Sequence, residues 1–247
     1  MKLIFGLLFT LLIIPSPLSS QNLLPPINNY KVFEYQADSK NWGVSTNDEG
    51  ELFVANNSGL LHFNGEKWQL YKLPNNTTIR SVAVIHGKIF TGSYEEFGYW
   101  VKNELGLLTY TSLTHLIKDH VFTSEEFWQI LPQGDKVLFR SFNAIYIFKD
   151  DNITVIDPSF VVSQITTYGD RILIAGGIAG LFELIDGEIK NLAGYDILLN
   201  KSIIDMVEIE AGLLIGTKRN GCYILRDGKV MPFNTGINQE LKQYLYL

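Results

Sequence analysis

The chain has 247 residues, of which 46% are apolar and 19% charged, a globular composition that excludes a disordered or collagen-like chain. Its 20 lysines and arginines against 26 aspartates and glutamates give a formal net charge of −6. This balance argues against direct binding of nucleic acid, because contact with phosphates needs a basic surface. The single cysteine, Cys222, excludes an internal disulfide and a thiolate zinc cluster. An acidic protein of this kind suits a neutral ligand, such as a sugar, or another protein.

The first twenty residues have the features of a secretory signal peptide. Lys2 gives a positive N-terminus, residues 3–14 are dominated by Leu, Ile and Phe, and residues 15–17 (Pro-Ser-Pro) end the apolar run. The run is too short to span a bilayer, which needs about 20 residues, but it fits a signal peptide. We therefore predict a signal peptide over residues 1–20 and a mature chain that begins near Gln21. The predicted location is periplasmic or otherwise extracytoplasmic, with no membrane span beyond the signal peptide. An uncleaved anchor is the alternative.

A pattern of four short strands repeats along the remaining chain. The repeat is marked by aligned positions before the third strand, spaced by 39, 46, 36 and 41 residues: Gly59, Gly98, Ala144, Gly180 and Gly221. Asx-Gly pairs at 64–65, 186–187 and 227–228 predict tight hairpin turns. Four strands in about 40 residues are typical of β-propeller blades. A β-sandwich is the structural alternative, but sandwiches do not repeat at this length.

We therefore predict an all-β fold, a β-propeller of four-stranded blades. About five blades are present, over residues 42–73, 79–113, 127–157, 163–192 and 203–234. Residues 30–35 are predicted to form one extra strand of the outermost type, and propellers close by pairing such a strand with the C-terminal blade. Residues 244–247 stop where a further blade would begin. The prediction is one propeller domain over residues 21–247, truncated at its C-terminal end, which is part of a seven-bladed ring. Residues 114–126 are expected to be a polar insertion with a short helix.

Several segments resemble a family of bacterial sensors. They are residues 41–43 (Asn-Trp-Gly), 55–61, 92–99 and 140–146, the last reading Arg-Ser-Phe-Asn-Ala-Ile-Tyr. They are similar to the N-terminal extracytoplasmic propellers of two-component-regulator propeller proteins from Bacteroidetes-type bacteria, which often carry a three-tyrosine domain. The resemblance implies an exported propeller that reads a ligand and that, in the family, precedes a transmembrane helix and a kinase or DNA-binding output. These later modules are absent from the 247 residues, so the chain is expected to supply the sensing part alone.

The candidate ligand-binding residues lie mainly in turns that join the second and third strands of the blades. In a propeller these turns share one rim, where aromatic faces stack on sugar rings and polar side chains make directional hydrogen bonds. The predicted ligand-binding residues are Asn56, Asn57, Arg80, Tyr94, Glu95, Arg140, Asn143, Lys218 and Arg219. The alternative is that they only pack blades together. Trp42, Trp68 and Trp128 are expected to pack between blades. The expected partner is a small-molecule or glycan ligand, or an envelope protein.

No motif in the sequence predicts a metal site, a cofactor or a catalytic centre. His115 and His120 lack the i, i+4 spacing of a helical zinc pair, and the Gly-rich residues 176–180 join two strands, without the helix N-terminus that binds phosphate. Glu95 and Glu96 are the nearest approach to a catalytic carboxylate pair. One of them is expected to bind Arg80 or another polar group and the other to be solvated. The predicted function is a non-catalytic extracytoplasmic sensor. The alternatives are an exported propeller enzyme acting on polysaccharide, a lyase or glycosidase, and a structural scaffold.

Overall fold

A computed structural model describes residues 27–118, 120–191 and 193–236 of the chain. The signal peptide predicted over residues 1–20 lies outside the described residues. Residues 27–30 have no regular secondary structure. They belong to a first compact unit, and the residues from Lys31 onward form a second one. The fold described below is that of the second unit. Within the described part of the chain, no helix has the length and apolar character needed to cross a membrane.

Five antiparallel sheets of four strands follow one another along the chain, and this confirms the prediction of five four-stranded propeller blades. Blade 1 contains β1 (Asn41–Thr46), β2 (Leu52–Asn56), β3 (Gly59–Phe63) and β4 (Trp68–Tyr71). Blade 2 contains β5 (Ser81–Ile85), β6 (Lys88–Gly92), β7 (Phe97–Lys102) and β8 (Leu108–Ser112). Blade 3 contains β9 (Gln129–Gln133), β10 (Lys136–Arg140), β11 (Ile145–Lys149) and β12 (Asn152–Ile156). Blade 4 contains β13 (Gln164–Tyr168), β14 (Arg171–Ala175), β15 (Leu181–Ile185) and β16 (Glu188–Lys190). Blade 5 contains β17 (Ile203–Ile209), β18 (Gly212–Thr217), β19 (Cys222–Arg226) and β20 (Lys229–Phe233).

The blades are arranged in series around a common axis. The first strands contact one another in the order β1, β5, β9, β13 and β17, so the first strand of each blade is the innermost one. Four apolar cores fill the interfaces between consecutive blades. Among the described residues no core joins blade 5 to blade 1, so the sheets do not close into a ring. This open arrangement agrees with the predicted incomplete propeller, whereas a total of seven blades stays a prediction.

The segment before blade 1 differs from the prediction. In place of a strand over residues 30–35, the structure has a one-turn helix, α1 (Val32–Tyr35). Glu34 Oε2 accepts the backbone N–H of Lys31 at 2.6 Å, an arrangement that stabilises a helix start. Tyr35 packs edge-on against Trp68 with 6.0 Å between the ring centres. The prediction of an extra strand is therefore wrong, whereas the packing of Trp68 between blades stays a prediction.

Backbone hydrogen bonds join neighbouring blades at one end of the sheets. In each case a residue that precedes the first strand of a blade donates its N–H to a carbonyl of the preceding blade. The four bonds are Ile79 to Asn56 (3.3 Å), Phe127 to Ser93 (3.0 Å), Val162 to Phe142 (2.9 Å) and Asn200 to Ile178 (2.9 Å). This repeated contact fixes the inner turns of one blade against the entry segment of the next.

The approach of blade 3 to blade 2 requires a glycine. A Cβ atom on Gly92 would lie 2.6 Å from Cβ of Phe127, 2.6 Å from Oγ of Ser81 and 2.8 Å from the Phe127 carbonyl oxygen. A side chain at this position would push the two blades apart. Gly43 on β1 differs, because a Cβ atom there would meet nothing closer than Cγ1 of Val82 at 3.9 Å.

The connections between blades contain three short 3₁₀ turns. Thr114–Leu116 lies in the insertion after blade 2, where the sequence predicts a short helix. Asp196–Leu198 lies between blades 4 and 5. Gly177–Ala179 belongs to the Gly-rich segment, which joins β14 to β15 as a tight turn, as predicted.

A small charged cluster lies at the end of blade 1 that carries the turn between β1 and β2. Glu51 is 3.2 Å from Nε2 of His62 and 2.5 Å from Nζ of Lys102. The His62 ring stacks on Phe53 with 4.8 Å between ring centres. Burial lowers the pKa of His62 below its ordinary value of 6.5, and the attraction of Glu51 opposes that shift. His62 is thus a buried residue within the blade.

Candidate functional site

All nine predicted ligand-binding residues lie at the same end of the blades. In an antiparallel sheet, the turn between the second and third strands lies at the end where the first strand begins. We call this end the upper rim. It consists of the segments leading into the first strands and of the turns over residues 57–58, 93–96, 141–144, 176–180 and 218–221.

Arg80 is held between two tryptophan rings at the upper rim. Its Cζ atom lies 4.3 Å from the centre of the Trp42 ring and 5.0 Å from the centre of the Trp128 ring, within the range of cation–π attraction. The two rings meet edge-on at 5.6 Å. The guanidinium also donates from Nε and Nη2 to both carboxylate oxygens of Glu126, at 3.1 and 2.9 Å. Because these residues come from blades 1, 2 and 3 and the segment between blades 2 and 3, Arg80 ties three blades together.

This pairing corrects the predicted partner of Arg80. The sequence favours Glu95 or Glu96, whereas the structure places Glu126 against the guanidinium. Glu126 is brought there by the insertion, which is joined to the turn of blade 2 by the Glu95 N–H bond to the Glu125 carbonyl at 2.7 Å. The charge of Arg80 is therefore compensated inside the protein. Trp42 and Trp128 pack between blades, as predicted.

Glu95 and Glu96 point to different partners. Glu95 accepts the N–H of Ser124 at 3.0 Å. Glu96 Oε1 accepts the hydroxyl groups of Tyr110 and Ser112 at 2.7 and 2.8 Å, and burial together with this carboxylate raises the pKa of Tyr110. Glu95 is half-buried and this hydrogen bond lies at an exposed position, so the expectation that one of the two carboxylates is solvated stays a prediction. The two carboxylates accept from different protein donors and share none.

Two of the three predicted asparagines, Asn56 and Asn57, serve the structure of blade 1. Asn56 is fully buried, and its Nδ2 donates to the Asp38 carbonyl and to Oδ1 of Asn41, both at 2.7 Å. This corrects its assignment as a ligand contact, because neither the side chain nor its donors reach the surface. Asn57 Oδ1 accepts the indole N–H of Trp42 at 2.8 Å and so orients the ring that covers Arg80.

The part of the upper rim that is open to a ligand lies on blade 3. Phe142 is 46% exposed at the tip of the turn over residues 141–144, between the predicted residues Arg140 and Asn143. Its ring lies 5.8 Å from the Trp128 ring, and Cζ of Arg140 lies 5.3 Å from its centre. Asn143 is exposed on the same turn. An exposed aromatic ring is thus flanked by an indole and a guanidinium.

Two buried donors beside Phe142 lack an acceptor. Arg140 is only 5% exposed, and its Nη1 donates to the Val162 carbonyl at 3.3 Å. Nε of Arg140 and Nε1 of Trp128 are both buried without an acceptor among the described residues. Burial lowers the pKa of Arg140 to about 10, and no carboxylate of the described residues opposes the shift. A buried donor left without a partner costs about 1–3 kcal/mol, so such groups are rare unless they bind something.

The remaining predicted residues are spread along the rim. Tyr94 is 40% exposed on the turn of blade 2. Lys218 and Arg219 are exposed on the turn of blade 5, two blades away from Arg140, so the structure does not bring them to Phe142. Exposed apolar side chains that the sequence analysis missed continue the rim from Phe142 toward blade 5: Val161 (56%), Ile178 (67%) and Leu199 (44%).

A second cluster that the sequence analysis missed holds the insertion on blade 3. The Glu125 side chain is completely buried and accepts the Tyr146 hydroxyl at 2.6 Å, while its other oxygen lies 2.9 Å from Nε2 of His120. Tyr146 is itself fully buried. A substrate cannot reach the phenol or the carboxylate, so this histidine–tyrosine–glutamate set stabilises the fold. No group of three His, Cys, Asp or Glu residues suited to a metal occurs in the described parts of the chain.

Comparisons with solved structures identify similar propellers. The chain is similar to the extracellular domain of BT4673 from B. thetaiotaomicron, described as a hybrid two component system (TM-score 0.59, 18% identity, 80% of this chain and 28% of that chain). It is also similar to YCF48 bound to D1 peptide (0.59, 11%, 84% and 73%) and to the WD40 propeller domain of Doa1 (0.52, 11%, 78% and 67%). No family model and no curated protein matches the chain.

These likenesses concern the fold. They confirm the β-propeller, and they agree, at the level of fold, with the resemblance to two-component-regulator propellers seen in the residues. The chain spans only 28% of the length of the BT4673 domain, so it corresponds to a limited part of that extracellular domain.

Proposed function

We propose that the chain is a non-catalytic, extracytoplasmic ligand-sensing propeller, resembling the input domain of a transmembrane signalling protein, and that it binds a small-molecule or glycan ligand at blade 3 of the upper rim. The observation that carries the proposal is the exposed Phe142 ring between the buried Nε of Arg140 and the buried Nε1 of Trp128, neither of which has an acceptor among the described residues. The likeness in fold to an extracellular domain of a two-component system supports the location and the sensing role. The signal peptide predicted from the sequence agrees with export.

The chemistry of this part of the rim suits a ligand with a flat apolar face and hydrogen-bond acceptors. A ring that stacks on Phe142 would gain about 0.5–1.5 kcal/mol beyond the area it buries. N–H donors then fix the orientation of the ligand, as in most small-molecule sites. The exposed apolar row at Val161, Ile178 and Leu199 extends the surface, so a ligand longer than one ring has further contacts available.

The glutamates near this surface support binding over catalysis. Glu126 is paired with Arg80, Glu125 is buried under Tyr146, and Glu95 accepts a backbone N–H. A general acid or base has to reach the substrate with an available proton or lone pair. The carboxylates of Glu126 and Glu125 are paired with protein donors and one oxygen of Glu95 accepts a backbone N–H, which supports binding over glycosidic bond cleavage.

Calorimetry of the purified chain against a panel of envelope oligosaccharides tests the proposal. Replacing Phe142 with Ala should weaken binding by at least tenfold, because the stacking face is lost. Phe33→Ala is the matched control, since Phe33 is 74% exposed on α1, which contacts β4 of blade 1, two blades away from Phe142, and it should leave the affinity unchanged. Equal affinity of the wild type and the Phe142 variant would show that the site is misplaced. Release of new reducing ends during the titration would favour the polysaccharide enzyme instead.

A further inference from the structure

The ligand of this site can be specified further from the state of Arg140. We propose that it carries a carboxylate group, which pairs with the Arg140 guanidinium while the rest of the ligand stacks on Phe142. The inference rests on the proposed function, because it names the chemistry of the ligand bound at the same surface.

Arg140 differs from the other arginines held in the blades. Arg80 has a bidentate carboxylate in Glu126, and Arg171 donates from Nε to Glu183 at 3.0 Å. The side chains of Arg80 and Arg171 are 18% and 31% exposed, whereas Arg140 is 5% exposed as a residue. The most buried of the three is thus the one without an acidic partner among the described residues. A buried charge without a counter-charge is costly, so a site for one is expected beside it.

The N–H donors of Arg140 and Trp128 indicate which chemical group the ligand carries. A guanidinium has five N–H donors and no acceptor, and an indole has one donor and no acceptor. Around Arg140 the described residues supply one acceptor, the Val162 carbonyl. A neutral hydroxyl would satisfy a donor but leave the positive charge uncompensated. The two oxygens of one carboxylate match both the planar fork and its single charge.

The turn that carries Phe142 has a fixed backbone and presents the ring at the surface. Ser141 Oγ accepts the N–H groups of Asn143 and Ala144 at 3.1 and 2.9 Å, which fixes the backbone on both sides of the ring. Ser141, which precedes Phe142, is fully buried, whereas the Phe142 ring lies at the surface. The backbone of the turn is therefore held in place, and the Phe142 ring lies at the surface with its centre 5.3 Å from Cζ of Arg140.

The test follows the ¹H–¹⁵N signals of Arg140 Nε and Trp128 Nε1 in the full chain. The probes are two matched pairs, benzoate with benzyl alcohol and D-glucuronate with D-glucose, each an acid beside its neutral counterpart. The acid of at least one pair should shift both signals to saturation and bind at least tenfold more tightly than its neutral partner. The pair that responds tells whether the carboxylate comes from an aromatic acid or a sugar acid.

Three variants separate this pairing from general attraction of anions. Arg140→Met removes the charge, and Arg140→Lys keeps the charge but loses the planar pair of N–H donors. Both variants should reduce the preference for the acid over its neutral partner by at least tenfold. Arg226→Met is the control, because Arg226 is an exposed arginine on the hairpin at the other end of blade 5, and it should bind as the wild type does. Arg140→Met should keep its fold, since an apolar side chain replaces an uncompensated buried charge. If it does not fold, Arg140→Lys and the wild-type titrations decide.

Other results would overturn the inference. If acid and neutral probes bind equally and binding needs Phe142, the proposed function is retained, and the inference that the ligand carries a carboxylate is wrong. Shifts that do not saturate, or that persist in Arg140→Met, would mean that the acids bind elsewhere. No shift with any probe would mean that water alone satisfies the two donors. The oligosaccharide panel with Phe142→Ala remains a separate test of the proposed function, so failure of the two ideas can be told apart.

Discussion

Replacing Arg80 with Ala should destabilise the propeller, because this side chain ties three blades together. The substitution removes both hydrogen bonds to Glu126 and both ring contacts, with Trp42 and Trp128. It also leaves the Glu126 carboxylate, whose side chain is 25% exposed, without its counter-charge. The effect is therefore expected on the free energy of unfolding as well as on any ligand bound nearby.

The magnitude can be worked from these contacts. Each hydrogen bond to a charged group is worth about 1.5–3 kcal/mol when buried, which partial exposure of the pair reduces to about 1 kcal/mol each. Each cation–π contact adds about 0.5–1 kcal/mol. The loss in the free energy of unfolding should then be about 3 kcal/mol. With a urea dependence of about 1–3 kcal/mol per molar, the unfolding midpoint should fall by about 1 M or more.

Urea unfolding followed by tryptophan fluorescence measures this change directly, because Trp42 and Trp128 lie against the guanidinium. Arg226→Ala is the matched control. Arg226 is 58% exposed in its side chain and lies 3.8 Å from the exposed Asp227, so its loss should cost less than about 0.5 kcal/mol. Equal midpoints for Arg80→Ala and Arg226→Ala would refute the role of Arg80 as a link between blades.

Three further predictions follow from the contacts of buried groups. Gly92→Ala should lower the free energy of unfolding by about 1–3 kcal/mol in urea unfolding, because the added methyl group would lie within 2.6 Å of two atoms. Tyr146→Phe should cost about 1–3 kcal/mol in the same measurement, because it removes a donor from the buried carboxylate of Glu125. His62→Gln should flatten the fall in melting temperature between pH 7.5 and 5.5. The pKa of His62 is lowered in the folded protein, so the unfolded chain binds a proton first as the pH falls past about 6.5, and stability is lost there.

Each of these has a control and an opposing result. Gly43→Ala should be tolerated within about 0.5 kcal/mol, since the nearest atom would be 3.9 Å away, and equal costs at Gly92 and Gly43 would contradict the close approach. A Tyr146→Phe protein as stable as the wild type would mean that Glu125 does not depend on the phenol. For His62, the comparison is His86→Gln, an exposed histidine in a hairpin turn. An unchanged pH slope in His62→Gln would locate the titrating group elsewhere.

The blades could be predicted from the sequence because their signals are local. Asx-Gly pairs predict the hairpin turns, and the spacing of about 40 residues predicts the length of one blade. The sequence accordingly predicts blade 1 over residues 42–73, and in the structure its strands run from Asn41 to Tyr71. The segment over residues 30–35 has the same apolar character as a strand. It forms a helix turn because Glu34 bonds to the backbone of Lys31, a local contact that needs no neighbouring strand.

The site could be predicted only in part. Its position on the rim follows from the strand order, which places the turns of residues 93–96 and 141–144 at one end. The partner of Arg80 does not follow, because Glu126 is 46 positions away and is delivered by an irregular insertion. The burial of Asn56 and the missing acceptors of Arg140 also depend on how neighbouring blades pack, which no local pattern in the sequence encodes.

The two arginines of the rim show how one surface can combine stability with binding. Arg80 is partly exposed, and Glu126 matches its charge and accepts from two of its nitrogens, so it adds stability and offers little to a ligand. Arg140 is more deeply buried and lies beside the exposed Phe142, and within the described part of the chain it has one carbonyl acceptor and no carboxylate partner. A charge left uncompensated in the folded protein costs stability, and a ligand that compensates it recovers that cost as binding energy. Arg140→Met should therefore raise the melting temperature while it removes acid binding. A fall in melting temperature would assign Arg140 to the scaffold instead.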